Sequence, residues 1–132
     1  MVRKIMYKND LLAIHITNNF VLEPGINFLT DINNEFQLGF IKRNMGYKVA
    51  PHKHIERNRQ ITKTSEFLFI KSGKCLIRIA SIDGFLSEEI ICVSGDVVLL
   101  LNGIHGIDFL EDTELIEVKQ GPYISEFDKE IL

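Results

Sequence analysis

The strongest constraint on how this chain can fold is the spacing of its glycine turns. Between residues 66 and 119, short apolar runs alternate with Ser72-Gly73, Asp83-Gly84, Ser94-Gly95-Asp96 and Asn102-Gly103. The runs are EFLFIK (66–71), KCLIRIA (74–80), EEIICV (88–93), VVLLL (97–101), Ile107 to Leu110 and Glu114 to Lys119. Segments this short, rich in β-branched residues and closed by glycine, are strands joined by tight turns. VVLLL has no polar alternation, so it reads as a strand buried on both faces. Upstream, LLAIHI (11–16) is another strand, and Pro24-Gly25 opens an irregular linker rich in Asn and Asp. FQLGFIK (36–42) alternates apolar and other residues, as a half-buried strand does. YKVAPHKH (47–54) follows the turn at Asn44 to Gly46 and reads as the next strand, its proline fitting an edge or a strand start. ERNRQITKTS is a polar loop, and only the closing SEFDKEIL hints at helical period. Nine or ten short strands at regular spacing predict an all-β sandwich or barrel.

At 132 residues the chain fits one domain with a real core. A net charge of −3 provides no basic field for phosphates, so no nucleic-acid partner is expected. No run approaches the roughly 18 apolar residues of a membrane span. The opening MVRKIMYKND lacks a long apolar core, so a cytoplasmic protein with no membrane association is expected by default. Cys75 and Cys92 sit inside apolar runs and outside any CxxC pair, which predicts buried reduced thiols.

The residues that carry chemistry cluster around Gly46 to Gly73. On a strand, His52 and His54 point to one face, and Glu66 heads the strand beyond the polar loop. His105 follows a glycine turn further on. Three imidazoles and a carboxylate suit a divalent transition metal with open positions, and Fe, Mn, Ni, Co and Zn all match that donor set. Arg57, Arg59 and Lys63 lie in the loop beside the histidines. They form either a solvated face or a clamp for a phosphate or carboxylate at the site mouth. Tyr47 and Tyr123 either pack or stack on a sugar or base. His15 reads as a packed strand residue rather than a ligand, and Asp96 and Asp108 as turn or rim residues.

These residues resemble the cupins. Gly46, five residues, then His52-Lys53-His54 match the opening of the first cupin motif, and Glu66, six residues, then Gly73 match its close. Eleven residues separate His54 from Glu66, more than the family pattern has, which makes Glu56 the alternative carboxylate. The second motif is looser. Gly95 and Gly103 are in place, Leu101 stands for a proline, His105 comes one residue early and Phe109 occupies the asparagine position. The ending IEVKQGPYISEFDKE resembles WbuC-type cupins of bacterial surface-polysaccharide clusters. The resemblance implies a double-stranded β-helix, a jelly-roll barrel spanning about 36–119 within a single domain of 1–132. An N-terminal strand and linker (1–35) and a tail (120–132) would flank it. It also implies a metal held by His52, His54, Glu66 and His105 and a sugar or nucleotide-sugar context, in which the clamp reading would have Arg57, Arg59 and Tyr47 contact the ligand. A homodimer is implied too, with the LLAIHI strand as a plausible element to pair with a neighbour. Three functions remain open: a metal-dependent isomerase, epimerase-like enzyme or dioxygenase, a non-catalytic small-molecule binding module, or a regulatory partner.

Overall fold

A computed structural model describes all residues, 1–132. Ten strands form: β1 (Val2–Tyr7), β2 (Asp10–Ile16), β3 (Gly25–Phe28), β4 (Gly39–Lys42), β5 (Glu66–Ser72), β6 (Lys74–Ala80), β7 (Ser87–Val93), β8 (Val97–Leu100), β9 (Ile104–Phe109) and β10 (Glu114–Lys119). The single helical turn is α1 (Ser125–Asp128). The all-β expectation holds, and every strand pair is antiparallel.

The strands form three sheets, ordered β1-β2-β8-β5-β10, β7-β6-β9 and β3-β4. The five-stranded sheet is the middle layer. One face packs on the three-stranded sheet through Leu68, Ile70, Val98 and Leu100 against Cys75, Ile77, Ile79 and Ile90. The other face carries Ile14, Ile16 and Leu99 against Leu38, Phe36, Phe40 and Leu29 around the β3–β4 hairpin. Each fully buried aliphatic side chain here contributes about 1.5–3 kcal/mol of transfer free energy. Two covered faces explain why β2 and β8 lack polar alternation: Leu12 to Ile16 and Val98 to Leu101 are all buried.

A β-bulge sets which face β2 presents. Ile5 pairs with Ala13 but Met6 with Leu11, so Leu12 is the extra residue. Its carbonyl accepts from the amides of Leu101 (2.8 Å) and Asn102 (3.1 Å), fixing the turn into β9. Beyond the bulge, Ala13 and His15 point toward the three-stranded sheet and Ile14 and Ile16 away from it.

Several expectations are corrected. No closed barrel forms, because the sheets share no strand and the outer edges of β9 and β10 stay unpaired. YKVAPHKH is not a strand: no regular element lies between β4 and β5, and residues 43–64 are exposed throughout. Pro51 has no amide to give a ladder, and the neighbouring backbone makes no backbone–backbone hydrogen bond. LLAIHI is not free to pair with a neighbour, since β1 and β8 occupy both of its edges. The Val2–Tyr7 strand was not foreseen, nor was β3 within the Asn- and Asp-rich linker.

Gly73 shows how tightly the β5–β6 hairpin fits. Its φ is +88°, and a Cβ there would meet the Asp112 carbonyl at 2.2 Å. Gly84 has a similar φ of +77° with nothing within 4 Å. Gly84→Ala is therefore expected to cost about 1–2 kcal/mol from the left-handed backbone alone. Gly73→Ala should cost clearly more, because Asp112 and Thr113 must also move, and urea midpoints of the two variants will show that order.

Candidate functional site

The two sheets of the sandwich meet differently along their two sides. On the β1–β7 side, Arg3 pairs with Glu88 and Tyr7 donates to Asp83 at 2.7 Å, so polar side chains close the gap. On the β9–β10 side the cross-sheet tie is Glu66 with His105. Their Oε2 and Nε2 lie 3.2 Å apart, with side chains 15% and 36% exposed. Strand alternation brings them together. Glu66 shares its face with the buried Leu68 and Ile70, and His105 pairs with Ile79 and shares its face with Ile107. Both therefore point into the space between the sheets.

Around this pair the inward face of β10 adds Lys119 and Glu117. Lys119 Nζ stands 3.7 Å from Glu66, 3.8 Å from Glu117 and 3.4 Å from Asp128 of the terminal helical turn. The ammonium also lies 5.1 Å from the Tyr123 ring centre. His105, beside it, and then Lys119 hold the Glu66 carboxyl below its ordinary value despite partial burial. The three carboxylates raise Lys119 against the opposing pull of desolvation. His105 turns Nε2 to Glu66, and its Nδ1 has no partner in the chain. The geometry is that of an imidazole oriented by a carboxylate at an accessible edge, able to give or take a proton at Nδ1. Lys119 and Asp128 were not singled out in the sequence. The alternation of ELIEVK, which puts Leu115, Glu117 and Lys119 on one face, was the available signal.

The other foreseen site residues all lie on the segment 43–64. The His52 and His54 rings are 5.3 Å apart and nearly perpendicular. His52 Nδ1 lies 2.8 Å from the Ala50 carbonyl, so a proton there is donated to Ala50 and Nε2 is left as the free donor atom. Arg57 and Arg59 are exposed, and Tyr47 lies 4.5 Å beneath the Arg43 guanidinium. Glu56, the alternative carboxylate, is exposed on the same segment. The four foreseen metal ligands are thus present as two pairs, Glu66 with His105 and His52 with His54. Within one chain they do not fit a shared ion, because no three of their donor atoms lie within 4.8 Å of one another.

A different trio meets that distance. His15, Cys92 and Asp96, all buried, place their ligand atoms within 4.8 Å and can hold a metal ion. In the chain alone these atoms are already engaged. Asp96 Oδ1 accepts from the Asn18 amide at 2.8 Å, and Oδ2 accepts from the Val93 amide at 3.1 Å and His15 Nε2 at 3.0 Å. Asp96 therefore staples the ends of β2 and β7 to the start of β8. Cys92 faces Cys75 across the β6–β7 ladder, and both are free and buried, as foreseen. Burial, and then Cys75, push the Cys92 thiol up to about 12, so it is neutral near pH 7.

Two predictions follow from these contacts. Asp96→Ala leaves two part-buried amides and a buried imidazole without an acceptor, and should cost about 3–5 kcal/mol in denaturant unfolding, whereas exposed Asp108→Ala should cost under about 1 kcal/mol. Glu66, lowered in the fold, binds fewer protons folded than unfolded. Its contribution is complete above its ordinary value of 4.5 and disappears as pH falls through the folded value. Glu66→Gln should therefore flatten the stability profile below that pH, as thermal melts across the acid range will show. No protein-family profile matches the chain, and neither a curated protein nor a solved structure does.

Proposed function

We propose that the chain is a jelly-roll protein of cupin type that binds a sugar or nucleotide sugar at the Glu66–His105 edge of its sandwich. The observation that carries this reading is the Glu66–His105 contact itself. It places an oriented imidazole beside Lys119, on polar side chains facing an otherwise apolar space between sheets. A polyhydroxylated ligand offers the donors and acceptors that such a rim lacks in an isolated chain. Lys119 suits a carboxylate or phosphate oxygen, while His105 Nδ1 suits a hydroxyl or the acidic hydrogen beside a carbonyl. Proton transfer at Nδ1, with Glu66 stabilising the imidazolium that results, is the reaction this arrangement supports. That chemistry is what a sugar isomerase or epimerase-like enzyme requires. The alternative is a module that uses the same contacts to hold its ligand without turnover.

The resemblance implies a divalent metal at His52, His54, Glu66 and His105. One chain does not gather those four donors, and the proton transfer at His105 is carried by Glu66 and His105 themselves.

A thermal-shift series with nucleoside diphosphate sugars tests the reading. A ligand at about 100 times its Kd should raise stability by roughly 2.7 kcal/mol, and His105→Ala or Lys119→Ala should remove most of the shift. If no sugar nucleotide or free sugar shifts the wild type, the ligand class is wrong. Binding retained with His105→Ala would move the site elsewhere. Proton exchange of the bound sugar in deuterated water, lost in His105→Ala, separates an enzyme from a binding module.

A further inference from the structure

The buried trio of His15, Cys92 and Asp96 spans the two layers of the sandwich. His15 lies on β2 and Asp96 in the turn into β8, both of the five-stranded sheet, while Cys92 lies on β7 of the three-stranded sheet. Their ligand atoms all fall within 4.8 Å of one another, and the residues are 5%, 0% and 2% exposed in chain order. Hydrogen bonding accounts for the histidine and the aspartate. It does not account for the cysteine. Packing asks only for a small apolar side chain at position 92, so a sulfur donor beside an imidazole and a carboxylate is left to explain. The turn that carries Asp96 is also firmly held. The Gly95 amide donates to the Ile70 carbonyl at 2.7 Å, the Asp96 amide to the Val93 carbonyl at 3.0 Å, and Asn18 Nδ2 to the Ser94 carbonyl at 2.8 Å. A Cβ on Gly95, whose φ is +89°, would meet the Asn18 Cβ at 2.8 Å.

We propose that His15 Nε2, Cys92 Sγ and Asp96 Oδ2 hold a thiophilic divalent ion such as zinc, which cross-links the two sheets, with Cys75 as the fourth ligand. Cys75 is the direct ladder partner of Cys92, equally buried and on the same inward face, so their Cβ atoms stand about 4.5–5.5 Å apart. It lies outside the trio, and its sulfur has to turn toward the ion to bind. The other bonds need little movement. Two ligands about 2.0–2.1 Å from a tetrahedral zinc stand roughly 3.3 Å apart, and Nε2 and Oδ2 are already 3.0 Å apart. The ion takes the place of the proton between them, and His15 carries its proton on Nδ1 instead. The amides of Asn18 and Val93 keep their bonds to Asp96 and orient the ligating carboxylate. Each thiol gives up its proton to water, two per ion bound. Burial pushes the Cys92 thiol up to about 12, which selects an ion of high thiolate affinity over magnesium or calcium. Four protein donors and no exposed face make the site structural rather than catalytic. It stands apart from the sugar reading: Asp96 precedes the start of β8, whereas Glu66 pairs with Leu100 at its end.

Cobalt(II), loaded by refolding the intact protein with the ion and a non-thiol reductant, tests the site. Sulfur ligation gives an intense thiolate-to-cobalt absorption that His52, His54 and the Glu66–His105 edge cannot produce, since none of them carries sulfur. Wild type should bind about one cobalt per chain with that absorption. Cys92→Ala should lose it, and Cys75→Ala should weaken cobalt binding at least about tenfold, with far-UV circular dichroism showing that both variants fold. No thiolate absorption in wild type overturns the proposal, and so does absorption that survives Cys92→Ala. Undiminished affinity in Cys75→Ala overturns the fourth ligand. If Cys92→Ala does not fold, the wild type still decides. Zinc should raise its urea midpoint and slow alkylation of both thiols, and magnesium should do neither. Zinc without either effect overturns the inter-sheet ion.

Discussion

The middle sheet has both faces covered, and most of the structure follows from that. A sheet buried on one side can alternate polar and apolar residues, but one buried on both must be apolar at consecutive positions. β2 and β8 meet that demand with Leu12 to Ile16 and Val98 to Leu101. The demand also limits where polar atoms can sit. His15 is the one polar side chain inside β2, and it survives there only because Asp96 accepts its proton while also capping two backbone amides. The buried trio with Cys92 is therefore first a structural staple. An ion placed there would have to displace hydrogen bonds already made and draw a proton from a thiol pushed up to about 12.

The same layering decides where chemistry can happen. Apart from the buried His15–Asp96 pair, inner-face side chains are polar chiefly at the ends and sides of the sandwich, where water reaches them. Glu66 begins β5 and His105 nearly begins β9, so both lie at that limit. Lys119 ends β10 beside them. The opposite side is closed by Arg3 with Glu88 and by Tyr7 with Asp83, at strands that bear no free imidazole. Among the faces between the two sheets, imidazole, carboxylate and ammonium come together along the β9–β10 side.

Much of this was legible in the sequence, for local reasons. Glycine turns fix hairpins within a few residues, so β5 to β8 and β10 fell close to where the runs placed them, while β9 begins at Ile104 rather than Ile107 and takes in His105; VVLLL was rightly read as doubly buried. Glu66 pointing inward followed from period-two alternation with Leu68 and Ile70. What failed was whatever depended on a distant partner. VRKIMY looks charged and nondescript until β2 gives it an edge to pair with, and the linker reads as irregular until Ile26 to Phe28 pair with Gly39 to Ile41. Asp96 looked like a turn residue because nothing local announces that the amide of Asn18 and the ring of His15 converge on it. YKVAPHKH is the reverse case. Its strand propensity is genuine, but propensity forms no strand without a neighbouring ladder, and one chain does not offer it one.

That last discrepancy tells more than the agreements do. An edge strand is stable when its ladder bonds and its buried face together outweigh the entropy of ordering about 1–2 kcal/mol per residue of backbone. Residues 43–64 receive neither ladder nor burial from their own chain, and their ties to it are few: Glu35 accepts from the amides of Thr62 and Lys63, and Arg43 lies over Tyr47. Meanwhile β9 and β10 keep unpaired edges that soluble proteins ordinarily shield by charge, bulge or cover. Lys71 with Glu114 and Arg78 with Asp108 put charge on those strands, yet Phe109 still faces outward into solvent from an inward position. The chain thus carries both an unfilled sheet edge and an unpaired strand-former, each lacking the ladder that would satisfy it.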